Sequence, residues 1–321
     1  TVGGALVSTV GWRAVYLCNV PVGVVALVAG IYLLPRTRDQ LPHLPTDRIG
    51  VGLLALATTG LLLAVSAVSG LSLPGWGAAL LGGAAVAGVA AFAARQRRAR
   101  HPLVDPALLA NRVISGGLIG ALTGYLVLFG PLVVVPVVLT DHGASALRVG
   151  LILTALPGGF ALAATLGGRL LPRGWSDPTR ATVGALVSGA GLVAALVAPL
   201  TQAWLVATLA VVGLGLGTFT PSNNTLIMAA IPPDRSGTGG GLLNMTRALG
   251  TALGVALVTM AVHLGGSADW GARLALGLLA AAAAVAAGTG WAGRQGRWAS
   301  KADRRPARRR ACATSSSTRA G

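Results

Sequence analysis

IGVGLLALATTGLLLAVSAVSGLSLPGWGAALLGGAAVAGVAAFAA, residues 49–94, runs for 46 residues without one Asp, Glu, Lys or Arg. As a single helix it would be about 69 Å long, more than twice the roughly 30 Å hydrocarbon thickness of a bilayer. A run this apolar and this long has to turn. SGLSLPGWG (69–77) supplies Gly, Pro and Ser for the turn and a Trp suited to the membrane interface. The stretch therefore reads as two membrane helices joined in a hairpin.

The same pattern continues on both sides. Residues 14–35, 113–140, 149–168, 248–268 and 274–293 are each about 20 or more residues long and free of formal charge. The block 181–233 holds 53 such residues and breaks at APLTQAW (198–204). Charged residues make up only 10% of the 321, against about 25% in a soluble domain, and the mean hydropathy is +0.73. Too few polar side chains exist to cover a soluble surface. The fold class expected is an all-α polytopic membrane protein with nine full spans: 16–34, 50–68, 76–94, 114–139, 149–170, 181–199, 204–228, 242–263 and 272–292. Residues 1–10 read as the end of a tenth.

The net charge of +17 is distributed as a topology signal. With residues 35–48 placed on the cytoplasmic side, alternate loops and the tail hold 22 Lys and Arg, and the other side holds 3. Without the tail the split is still 13 to 3. The reading is a plasma-membrane protein with a cytoplasmic C-terminus. The basic tail 294–321 is expected to be disordered and to rest on anionic lipid, and no nucleic-acid partner is expected. Cys18 and Cys312 are the two cysteines, with no CxxC or Cys/His cluster, so neither a metal nor a disulfide is indicated. The N-terminus lacks a signal-peptide pattern. No Ser/His/Asp constellation sits on a soluble scaffold, so an enzyme is not indicated. The high Ala, Gly and Arg usage hints at a GC-rich bacterial source.

Arg13 stands beside Trp12 in GWRAVYLCNVPVG (11–23). It reads as an interfacial anchor or as a gating charge. GGALVSTVGWRAVYLCNVPVG resembles a segment of the major facilitator superfamily, and is most similar to its fourteen-helix drug:proton antiporter branch. In that branch the fifth helix carries a G-P-x-x-G-G element, followed by a Trp-Arg turn and N-x-P-x-G. Thr1-Val2-Gly3-Gly4 matches the last four positions, with Gly3 and Gly4 the glycine remnant, and Asn19 to Gly23 matches the rest. PPDRSGTGGGLLNMTRALGTALGVAL (232–257) is similar to the penultimate helix of the branch and the loop before it. At 168–173, Gly168, Leu170 and Arg173 fit the superfamily's G-x-L-x-D-R-x-G loop, but Pro172 replaces the Asp and puts the gating pair there in doubt.

The resemblance implies residues 1–34 as the end of an N-terminal bundle, 35–112 as two linker helices with their loops, and 113–293 as a C-terminal six-helix bundle. It also implies a C-terminal fragment lacking the first four and a half helices. The implied activity is efflux of small drug-like or amphipathic compounds, coupled to H+ and needing no other cofactor. Alternatives are a metabolite uptake permease on the same fold, or a non-transporting fragment or partner subunit. The oligomeric state is left open.

Proton coupling needs a membrane-embedded titratable group, and a buried carboxylate is the usual one. All eight acids are Asp and all fall in loops or the tail, so the coupling carboxylate is expected in the part of the family fold not represented here. Polar residues inside spans face the bundle interior or a water-filled cavity. The candidates for a substrate path are Asn19, Thr123, Tyr125, Asn223, Asn224 and Asn244, with helix packing as the alternative. The gating candidates are Arg13, Arg173 and Arg247. Arg247 otherwise snorkels to the interface.

Overall fold

The computed structural model describes residues 12–33, 47–68, 75–99, 102, 104, 106–172 and 174–291. In chain order the helices are α1 (Trp12–Leu33), α2 (Arg48–Val68), α3 (Gly75–Arg98), α4 (Pro106–Ala110), α5 (Arg112–Phe129) and α6 (Pro131–Asp141). They continue as α7 (Ala146–Leu153), α8 (Ala155–Leu170), α9 (Asp177–Val197), α10 (Gln202–Ala230), α11 (Ser236–Leu264) and α12 (Ala268–Trp291). A 3₁₀ turn, Pro233–Arg235, precedes α11. No strand occurs among the described residues. Helices dominate because a chain in lipid must satisfy its backbone groups within each segment.

Among the described residues, seven segments are long and apolar enough to cross a membrane: Ala79–Arg98, Arg112–Asp141, Ala146–Gly167, Asp177–Val197, Gln202–Ala230, Ser236–Leu264 and Ala268–Trp291. The apolar stretches of α1 and α2, Asn19–Leu33 and Arg48–Ala64, are shorter. Two spans expected to be continuous carry breaks. The span at 114–139 divides at Gly130, where Pro131 lacks an N–H, though Gly130 keeps helical dihedrals (φ −56°, ψ −49°). The span at 149–170 divides at Thr154, whose hydroxyl donates back to the Leu151 carbonyl. The helix that contains the span read at 242–263 begins at Ser236, and the glycines of GTGGG are helical.

α5 is capped by Asn111, whose side chain accepts from the Val113 N–H at 2.9 Å. α8 and α9 both pack on α10, and α5 packs on α10 and α11. Lipid offers no hydrophobic drive between helices, so close backbone contact and side-chain fit hold them. Gly184 of α9 shows this. A Cβ there would stand 2.6 Å from the Gly215 carbonyl oxygen and 2.6 Å from the Phe219 nitrogen of α10. Beside it the Ser188 hydroxyl is fully buried and lies 3.1 Å from both the Gly184 and Val212 carbonyls. Phe219, Leu192, Leu156, Val212 and Leu279 fill the main core.

α2 and α3 form the hairpin read from 49–94 and pack on each other, and α2 also touches α11. Residues 69–74 of its turn lie outside the described residues. Its base is tied by the Asp47 carboxylate, which accepts from Arg95 Nη2 at 3.1 Å and from the Gly50 N–H at 3.0 Å. The buried Gln96 carbonyl accepts from the Val104 N–H at 3.2 Å. Val104 and Leu108 then join Ile114, Leu118, Ile227 and Leu243 in a second core. This is how the hairpin meets the bundle that follows.

Candidate substrate path

α5 fixes the front and back of the bundle. Thr289 of α12 lies against Gly116 and Gly120, Ile227 and Phe219 of α10 lie against Gly117 and Gly124, and Gly250 of α11 lies against Leu122 and Tyr125. Gly250 has to be a glycine, since a Cβ there would run into the Leu122 carbonyl and stand 3.0 Å from the Tyr125 Cβ. Behind the row, Gly290 of α12 meets Thr182 of α9. Nine residues separate Gly116 from Tyr125, which is two and a half turns at about 3.6 residues per turn. Tyr125 therefore points away from α12. With the face of α5 and α11 that carries Tyr125 taken as the front, α12 and, beyond it, α9 lie behind.

On that front, Tyr125 and Phe129 stack with centroids 6.3 Å apart and planes at 20°. The Arg247 guanidinium carbon lies 5.5 Å from the Tyr125 centroid. Arg247 Nη1 donates to Asn244 Oδ1 at 3.2 Å, one turn back on α11. Arg247 is half-buried, and its Nε is buried with no hydrogen-bond partner among the described residues. Because α11 starts at Ser236, Arg247 lies 11 residues, or about 17 Å, inside it.

The other candidates separate. Asn223 is buried, 4% exposed, and its amide donates to the Gly117 carbonyl of α5 at 2.9 Å. It joins two helices. Asn224, about 100° further round α10, is half-buried. Thr123 is buried, and its hydroxyl returns to the Ile119 and Gly120 carbonyls of its own helix. Asn19 and Arg13 lie on α1 with exposed side chains. Arg173, Gly3 and Gly4, and the tail 294–321, lie outside the described residues.

Phe129 was not picked out from the sequence, because an apolar residue in an apolar span carries no signal. The Asp47–Arg95 pair was also missed, since its partners are 48 residues apart. The Gly50 N–H, then the Arg95 guanidinium, hold the Asp47 carboxyl below its ordinary range. At the opposite end of the bundle from Arg95, a cavity of about 450 Å³ is lined by His142, Gln202, Asp269 and Arg273, with His142 Nε2 3.9 Å from Asp269 Oδ1. No cluster of metal-ligating side chains occurs among the described residues.

The sequence matches the family described as Major Facilitator Superfamily over residues 1–255. The chain belongs to the Major Facilitator Superfamily. Its similarity to the Tetracenomycin C resistance and export protein of Streptomyces glaucescens is 32% identity over 82% of this chain and 50% of that protein. To the Riboflavin transporter RibZ of Clostridioides difficile it is 28% over 79% of this chain and 55% of that protein. To the Drug efflux pump JefA of Mycobacterium tuberculosis it is 32% over 80% and 51%. The chain thus spans about half the length of these curated relatives. Membership of the superfamily makes this a multi-pass membrane protein of a transporter family, not an enzyme.

Proposed function

We propose that this chain supplies the C-terminal wall of a secondary transporter that exports small drug-like or amphipathic molecules in exchange for protons. The front of α5 and α11 carries the reading. It brings Tyr125, Asn244 and Arg247 together, in a chain similar to proteins named for resistance and export. The mechanism is alternating access, with this bundle rocking against a facing one around a site near the bilayer midplane. The backing helices α9 and α12 keep the wall rigid while it moves. No Asp lies in the middle of a described helix, so the proton-carrying carboxylate belongs to the facing bundle.

The test uses everted membrane vesicles holding the protein as its native gene encodes it. An acidified lumen is expected to drive accumulation of an exported fluorescent drug, and a protonophore is expected to collapse it. Accumulation that survives the protonophore rules out proton exchange. Similarity to a riboflavin transporter supports a second reading, import of a polar metabolite. Growth of a riboflavin auxotroph on limiting riboflavin, with no drug accumulation by vesicles, would favour it. The basic tail 294–321 is proposed to lie on anionic lipid on the cytoplasmic side. A peptide of that segment should bind phosphatidylglycerol vesicles and ignore phosphatidylcholine ones, and equal binding to both would refute it.

A further inference from the structure

Arg247 lies three turns inside α11, whereas the other Arg residues of the described helices sit in the first or last two turns. A cation at such depth is costly unless an anion or water meets it. Among the described residues no carboxylate does. The guanidinium has five N–H donors. Its neighbours are Asn244 Oδ1, which takes one bond, and the face of Tyr125, and Nε has no partner there. Unlike Nε, the terminal nitrogens are not buried without partners, so their remaining N–H groups are open to an anion, held best by two parallel N–H bonds to one carboxylate. Next to it the Tyr125–Phe129 stack offers a flat apolar surface.

We propose that Arg247, Asn244 and Tyr125 form a receptor for a carboxylate or similar anion carried on an aromatic body, and that this anion belongs to the transported molecule. Arg247 holds the charge, Asn244 orients the guanidinium, and the aromatic pair takes the ring. The proposal rests on this front being the substrate path. The same chemistry could be met by an Asp or Glu of the facing bundle closing on Arg247. The aromatic stack favours a ligand, since a closing carboxylate has no use for a ring surface.

The experiment reads equilibrium binding on the intact purified protein in lipid nanodiscs, so it does not depend on the efflux result. The probes are coumarin-3-carboxylate and its neutral carboxamide. The wild type is expected to bind the carboxylate about tenfold or more tighter, the scale of one charge-assisted hydrogen bond. Arg247→Gln should erase that preference and leave the amide within about twofold of wild type, while Arg247→Lys recovers part of it. Tyr125→Leu should weaken both probes alike. Wild type without a preference for the carboxylate overturns the proposal, and this needs no variant to fold. So does an Arg247→Gln protein that keeps the preference. Equal weakening of both probes by Arg247→Gln also overturns it, and assigns Arg247 to a carboxylate of the facing bundle.

Discussion

Asn223 and Asn224 are neighbours in sequence with different positions in the structure. Asn223 spans 106 residues of chain to reach the Gly117 carbonyl, and is buried in doing so. Asn223→Ala should lower stability by about 0.6 kcal/mol and by no more than about 1.7, the measured range for interhelical hydrogen bonds in membranes. Asn224→Ala should leave stability within about 0.5 kcal/mol of wild type, while reducing export of at least one probe drug. Unfolding in mixed micelles beside vesicle transport reads both, and a reversed pattern would reverse the two roles. Asp47 gives a pH test. Its carboxyl is held below the ordinary value of 3.8, so its stabilising effect is complete above that range. It is lost as the pH falls through the lowered folded value. Thermal unfolding of wild type and Asp47→Asn should differ by a constant amount near neutral pH, and the gap should close below pH 3.8. A gap that persists in acid would mean that the Asp47 charge is not what matters.

Between helices, shape decides more than polarity. The α9–α10 contact is set at Gly184, where a side chain would meet backbone atoms at 2.6 Å that cannot give way. Gly184→Leu should cost about 1–3 kcal/mol or more by overpacking. Unfolding in mixed micelles would show it, and a neutral result would mean that α9 shifts freely on α10. The helix pair α2–α3 was plain in the sequence, since 46 uncharged residues cannot cross only once. The breaks at Gly130 and Thr154 were not, because an apolar run keeps its hydropathy through a local change of dihedral.

At the scale of the molecule, the Arg-rich ends of α3, α5 and α9 and the 3₁₀ turn before α11 define one side of the bundle. The charge bias predicts that this side is cytoplasmic. A green fluorescent protein fused to the C-terminus should then fluoresce, and an alkaline phosphatase fused there should be inactive. Active phosphatase would invert the whole arrangement. The orientation bears on function, because alternating access in the export direction requires the Arg247 front to open first to the cytoplasm.

Composition and charge by themselves determined that the chain is helical, that it lies in a membrane, and roughly where its helices run. These are properties of windows of about 20 residues, and the bilayer reads them one segment at a time. Only the tertiary structure decided which polar residues face the front. Arg247 reaches Tyr125, and Asn223 reaches Gly117, through the close approach of α11 and α10 to α5. A rotation of either helix by one residue, about 100°, would bury one set of side chains and present another. That register comes from contacts between residues far apart in the chain, and no local pattern in the sequence carries it.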